Sequence, residues 1–276
     1  MTGPSASPAS SDLPTRFVAA VVMIAVAATA IYVGGWLFRL LVLGGGALML
    51  VEWGDIHRVA RRWSYAGILL LAVNLLIVTE LLFPAGEMDE AIGAASFDPA
   101  WRGFAALLVS ALLLGLAARR FAMFGGFLYV GIPAFALLVL DWTWFGLVLW
   151  AMVVTWATDS FAYFAGRAIG GPKLAPRISP SKTWSGLAGG VVGAAVLGFV
   201  TAHLTALGAP FLYIGVLMAL IAQGGDLYES WIKRRAGVKD SGTVLPGHGG
   251  VLDRVDGLLP VALATLALLM AGQWTG

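Results

Sequence analysis

A chain of 276 residues that is 59% hydrophobic and only 12% charged is too apolar for a soluble globular domain, where about a quarter of residues carry charge. It has no cysteine, which excludes disulfides and thiolate metal centres and leaves the redox compartment unreadable; the net charge of +2 says nothing as a total. Eleven Trp and repeated apolar runs near 20 residues long mark an all-α integral membrane protein, a polytopic helical bundle.

Taken in order, the first 15 residues are rich in Ser, Pro and Ala and read as a disordered tail. A cleaved leader fits less well, because the apolar run from Phe17 lies far from Met1 and is too long for an h-region. Charges and turn residues then mark about nine transmembrane spans: 17–33, 36–51, 64–83, 103–118, 121–140, 142–164, 184–204, 210–226 and 257–274. Residues 16–140 form an N-terminal set of helices. Residues 141–276 form a C-terminal region with two long polar loops, 165–183 and 227–256. Arg39 interrupts the second span, for which a hairpin with the first is the alternative. Glu52 and Asp55 at its end read as interfacial, and Asn74 in the third span as an interhelical hydrogen bond.

Basic residues alternate from loop to loop. Arg16, the group His57, Arg58, Arg61 and Arg62, the pair Arg119 and Arg120, and both long polar loops fall on one side. The intervening turns are acidic or uncharged. The positive-inside rule therefore places the N-terminus and the two long loops in the cytoplasm, with the C-terminus outside. A location in the cell's inner (plasma) membrane with a cytoplasmic-side site is the expectation, with membrane lipids as surroundings and no nucleic-acid partner.

Chemistry concentrates near the C-terminus, where ten of the chain's charged residues fall within the 31 residues 226–256. Asp253 and Asp256 stand at i, i+3, and Asp226 closes the preceding apolar span. Carboxylates without cysteine or paired histidine suit a hard cation such as Mg²⁺; the alternative is salt-bridging to Arg254, Lys233 or Arg234. Pro246-Gly247-His248-Gly249-Gly250 offers a flexible backbone to a phosphate, or is a packing turn. His248 is open between an acid–base group, a phosphate donor and a turn residue. Lys233, Arg234, Arg235 and Lys239 could neutralise phosphates; for Arg235 an interfacial anchor is preferred. Lys239-Asp240 sits in the loop proper, where an anchor is less needed.

Two further stretches are polar. Ser179-Pro180-Ser181-Lys182-Thr183-Trp184-Ser185 precedes a Gly-rich span and reads equally as a phosphate contact or as a helix cap with a basic flank. Asp159, embedded in an apolar run, is expected to line the site and to hold Lys182.

Together these residues resemble a known signature. Ser230-x-Ile232-Lys233-Arg234, Lys239-Asp240 and Pro246-x-His248-Gly249-Gly250-Val251-x-Asp253-Arg254-Val255-Asp256 resemble that of the phosphatidate cytidylyltransferase (CDP-diacylglycerol synthase) family over 27 residues. The Ser179–Trp184 stretch and Asp159-x-x-Ala162-Tyr163-x-x-Gly166 look like that family in the same order. The likeness is close in the C-terminal half and holds only in character before it. Ser185 departs from the Glu common there, so position 185 is given no role.

The resemblance implies that phosphatidic acid attacks the α-phosphorus of CTP to give CDP-diacylglycerol and pyrophosphate. It further implies Mg²⁺, with K⁺ as a second metal, on Asp226, Asp253 and Asp256. Lys239 and Asp240 join these acids as catalytic candidates. Asp159, Ser179, Lys182, Thr183, Ser230, Lys233, Arg234, Gly247, His248, Gly249, Gly250 and Arg254 become substrate contacts, and a homodimer is the default. A CTP-dependent polyisoprenol kinase of the dolichol type is the competing enzyme. A transporter is less well supported, because the acids cluster at a membrane edge and no internal repeat is evident.

Overall fold

A computed structural model describes residues 12–82, 98–244 and 249–272. Its helices are α1 (Asp12–Val33), α2 (Gly35–Ile56), α3 (Arg61–Leu82), α4 (Asp98–Ala118), α5 (Phe121–Thr143), α6 (Phe145–Ile169), α7 (Trp184–Leu204), α8 (Ala209–Tyr213), α9 (Gly215–Ala236), α10 (Leu252–Val255) and α11 (Leu258–Met270). Among the described residues, six helices are long and apolar enough to cross a membrane: α2, α3, the Pro99–Ala118 part of α4, α5, α6 and α7. Without competing water, every backbone group in such a span is satisfied internally, and this is why the Gly44-Gly45-Gly46 run stays helical in α2.

The chain is a helical membrane protein, with three departures from expectation. The predicted tail 1–15 ends early: α1 starts at Asp12, and residues 1–11 lie outside the described residues. The loop 165–183 holds an antiparallel hairpin, β1 (Lys173–Ala175) and β2 (Ser179–Thr183), pairing Lys173 with Thr183 and Ala175 with Ser179. The loop predicted to begin at residue 227 begins instead at Gly237, whose φ of 77° ends α9 in the left-handed region. The charged stretch from Asp226 to Arg235 is thus helical, and Asp226, Glu229, Ser230 and Lys233 share one face.

Helix α5 is the centre of the bundle, with Met123, Phe127, Val130, Ala136 and Leu140 fully buried. Helix α6 packs beside it, burying Trp150, whose indole N–H donates to Gly198 O at 2.9 Å. Helices α6 and α7 meet through glycine. A Cβ on Gly190 would stand 2.8 Å from the Thr158 carbonyl oxygen, and one on Gly186 2.9 Å from that of Ala162. This contact fixes the helix carrying Asp159 against the hairpin.

Arg39 does not break the second span. It forms an ion pair with Glu80 of α3 and lies over the Trp36 ring at 5.2 Å, so α2 is a single helix. Asn74 donates to Ser110 Oγ of α4 at 2.9 Å, the expected interhelical bond. It lies in a π-helical turn (Val73–Val78), where the Thr79 hydroxyl donates to the Asn74 carbonyl oxygen at 3.0 Å.

The α6–α7 contact predicts a contrast between two small substitutions. Gly190→Ala should lower the melting temperature in detergent by several degrees, since overpacking typically costs about 1–3 kcal/mol. Gly125→Ala, which meets nothing within 4 Å, should leave it unchanged or raise it slightly. Equal melting of both variants would contradict this packing.

Candidate active site

A cavity of about 1440 Å³ opens among α1, α2, α6, β2, α7, α9 and α10. Its walls differ in character. Leu40, Leu41, Leu48, Met152, Trp156 and Leu258 supply apolar surface, while Asp159, Lys182, Asp226, Asp240, Arg254 and Asp256 supply charge.

The charged wall is assembled from three pieces. Helix α9 presents Asp226, which pairs with Lys182 of β2 and accepts from Ser230 Oγ at 3.3 Å. The hairpin presents Lys182 and, next to it, Thr183, the N-cap of α7, whose hydroxyl accepts from Gly186 N at 3.0 Å. Ser185 braces this turn by donating to Gly170 O. Arg234 joins hairpin to helix: Nε donates to Ile178 O and Nη1 to Val238 O, both at 3.3 Å.

The third piece is α10 and the turn before it. Asp253 accepts from Lys233 Nζ at 2.6 Å, Ser241 N at 2.9 Å and Gly250 N at 2.8 Å. Lys233 Nζ also stands 2.6 Å from Glu229 Oε2, so one buried ammonium serves two carboxylates. Burial alone would push the Asp253 carboxyl up. The Lys233 ammonium and the two backbone N–H groups outweigh it and hold the group below the usual carboxylate range. Asp256 behaves in the opposite way. Burial first, then repulsion from Asp226 and Glu229, pushes it up to about 8, although Gly257 N donates to it at 2.8 Å.

Residues 14–271 match the cytidylyltransferase family. The chain belongs to that family. A curated relative from Brucella abortus (strain 9-941) is 38% identical over 264 residues, covering 91% of each chain. One from Pseudomonas aeruginosa is 32% identical over 272 residues, covering 95% of this chain and 98% of the relative. One from Bacillus subtilis (strain 168) is 49% identical over 115 residues, covering 41% and 43%. All three carry the name phosphatidate cytidylyltransferase. As a member of the cytidylyltransferase family, the chain is a nucleotidyltransferase.

Of the residues singled out in the sequence, Asp159, Lys182, Thr183, Asp226, Lys233, Asp240, Asp253, Arg254 and Asp256 line this one cavity. Ser179, Ser230, Arg234, Lys239, Gly249 and Gly250 lie beside it rather than on its wall, and Lys239 is exposed. Gly247 and His248 fall outside the described residues. Lys182 is held by Asp226, where Asp159 was the expected partner. The cavity is also not confined to the C-terminal half, since α2 supplies much of its apolar wall.

Two expectations about ligands meet the structure here. The glycine-rich turn was expected to offer backbone N–H groups to a phosphate. Of that turn only Gly249 and Gly250 lie among the described residues; Gly250 N donates to Asp253, and just after the turn Val251 N and Leu252 N donate to Glu52. The three predicted metal acids are not drawn into one cluster either. Among the described residues no group of three His, Cys, Asp or Glu side chains could hold a metal ion, and Asp253 is engaged by three donors, Lys233 Nζ, Ser241 N and Gly250 N. Asp226 and Asp256 remain, two carboxylates that repel one another beside the cavity. That donor set fits a cation such as Mg²⁺, which usually takes one or two protein carboxylates and completes its shell with water and substrate phosphates.

Sequence reasoning missed Glu52. It is not interfacial but buried, accepting from Val251 N at 2.7 Å, Leu252 N at 2.9 Å and Ser241 Oγ at 2.8 Å. Asp55, one turn later, is exposed and pairs with Arg61 at 3.1 Å, as an interfacial acid does. Nothing local distinguishes the two acids, because the partners of Glu52 lie about 200 residues away. Gln223 was missed as well; it lines the cavity and is buried on the apolar half of α9.

The Lys233 triad predicts a stability pattern. Lys233→Met strands two buried carboxylates and should cost on the order of 3–5 kcal/mol, part of which Glu229→Gln added to it should restore. Because the Asp253 carboxyl is held below 3.8, its contribution is complete above that pH and is lost as pH falls through the lower folded value. Lys233→Met should move that acid loss to higher pH in a melting series. An unchanged acid limb would contradict the pairing.

Proposed function

We propose that this chain is a phosphatidate cytidylyltransferase, joining the cytidylyl group of CTP to phosphatidic acid and releasing pyrophosphate. One observation carries the reading beyond the family. A single cavity has an apolar wall for acyl chains and a charged wall for phosphates, as a reaction between a lipid phosphate and a water-soluble nucleotide requires.

In this reading an oxygen of the phosphatidate phosphate attacks the α-phosphorus of CTP. The bond from that phosphorus to the β-phosphate bridge oxygen breaks, and pyrophosphate leaves with the electron pair. The attacking phosphate is ionised at neutral pH, so no side chain has to remove a proton. What the chain contributes is alignment and charge. Lys182, half-shielded beside Asp226, offers a point charge to the nucleotide phosphates, and Arg254 and Arg167 on the same wall offer forked donors. Asp226 and Asp256 would hold Mg²⁺, with K⁺ as a companion ion; when bound, the cation neutralises the triphosphate and polarises the reacting phosphorus. Asp253 sits behind them, holding the α10 turn to Lys233. The apolar wall keeps bulk water from the lipid side of the reacting phosphorus, so hydrolysis of CTP is disfavoured.

The alternation of basic loops supports about nine spans in a bacterial inner membrane, with the N-terminus and the charged wall at the cytoplasmic face, where CTP is found. Among the described residues, six helices are long and apolar enough to cross a membrane, and the remaining runs of the count come from the sequence. A homodimer completes this reading.

Asp226→Asn and Asp256→Asn should each lower formation of CDP-diacylglycerol on the order of 10²-fold or more, with melting close to wild type. Lys182→Ala should lower it by a smaller factor. Near-wild-type turnover in both aspartate variants would overturn the assignment. For topology, the chain's lack of cysteine makes Val238→Cys a clean probe: it should resist impermeant thiol reagents in intact cells and react after lysis. Labelling in intact cells would reverse the orientation.

A further inference from the structure

Glu52 stands about 200 residues from the polar stretch that carries the site, yet its carboxylate is buried inside it. Oε1 accepts from Val251 N, while Oε2 accepts from Leu252 N and Ser241 Oγ. The space around it is built from glycine. A Cβ on Gly250 would collide with Glu52 Oε2 and Ser241 Oγ, and one on Gly242 would stand 3.0 Å from Glu52 Cγ. Two glycines in the loop are therefore accounted for by this carboxylate and the Ser241 hydroxyl that it holds.

Helix α2 is held at its other end too. Arg39 pairs with Glu80 of α3, 13 residues and about 20 Å along the helix from Glu52. Between these anchors, Leu40, Leu41, Gly44, Gly45 and Leu48 face the cavity. The helix that forms the lipid-side wall is thus the one that grips the start of α10.

We propose that Glu52 is a positioning residue of the nucleotidyl-transfer site, fixing the start of α10 and thereby the placement of Asp253, Arg254 and Asp256 relative to the lipid-side wall. This rests on the cytidylyltransferase reading of the cavity. Charge-assisted bonds from one carboxylate to two successive N–H groups and a hydroxyl set both the position and the direction of the short helix. Glutamine offers one acceptor oxygen where three donors converge, so Glu52→Gln must lose at least part of the grip.

The test uses the full chain in detergent, with CTP, phosphatidic acid and Mg²⁺, together with hydrogen-exchange mass spectrometry over residues 249–256. Glu52→Gln should lower kcat at least about tenfold, leave KM for both substrates within about threefold, and speed exchange at Val251 and Leu252 about tenfold or more. Ser241→Ala, which removes one of the three bonds and leaves α2 untouched, should lower kcat by a smaller factor. The double variant should be no worse than Glu52→Gln alone. Glu80→Gln loosens the other end of α2 and serves as the control: melting should fall while kcat stays close to wild type.

The proposal is overturned if Glu52→Gln keeps wild-type kcat, if exchange at Val251 and Leu252 is unchanged, or if Glu80→Gln lowers kcat as far as Glu52→Gln does. The last result would mean that only the general stability of α2 matters. Failure of the wild-type chain to form CDP-diacylglycerol would instead refute the reading of the cavity. The exchange result would then decide separately whether Glu52 holds the turn.

Discussion

Lys233 carries the burden of the site's architecture. Its ammonium is buried between Glu229 on its own helix and Asp253 on the turn, 2.6 Å from each. In a chain with so few charges, an unpaired group here would be expensive, and removing one member strands the others. The pairing makes the end of α9 and the start of α10 one unit. Asp253 extends that unit through Ser241 and Gly250, and Glu52 ties it to α2. The remaining charged wall, Lys182 with Asp226, depends on the same helix two turns earlier.

This scaffold resolves a conflict set by the two substrates. A diacyl lipid is dissolved in the bilayer and a nucleotide triphosphate in water, so a site for both must sit where apolar and charged walls meet. The cavity supplies that junction: α2 and α6 bring the apolar surface, while β2, α9 and α10 bring the charge. The raised Asp256 carboxyl belongs to the same logic. Acids crowded in a poorly solvated corner repel one another, and a cation bound there would relieve the repulsion. In our reading the protein keeps a carboxylate surplus at that corner for this purpose.

Much of this was legible in the sequence. Six of the apolar runs form helices long and apolar enough to cross a membrane among the described residues, because hydropathy dictates spans where no water can satisfy the backbone. Nine of the residues chosen from motif spacing line one cavity, since charges in an apolar chain have few places to go. What escaped was decided by tertiary pairing. Arg39 seemed to interrupt a span only because Glu80 is 41 residues away. The charged stretch after Asp226 reads as a loop, but the ion pair of Lys233 with Glu229 and the one with Asp253 keep it helical to Ala236. At the end of the glycine-rich turn, Gly250 N is held by Asp253, and the next two N–H groups, of Val251 and Leu252, are held by Glu52. Glu52 itself has the same sequence surroundings as the exposed Asp55, and only the fold separates them.

The most direct measurement of the central claim follows which phosphorus of CTP enters the lipid. Purified protein is given phosphatidic acid and Mg²⁺ with CTP labelled at either the α- or the γ-phosphorus, and the lipid is extracted. Transfer of the cytidylyl group puts α-label in the lipid, leaves γ-label in pyrophosphate, and stops on addition of EDTA. Appearance of γ-label in the lipid, with CDP left in the water phase, would contradict it and make the chain a kinase.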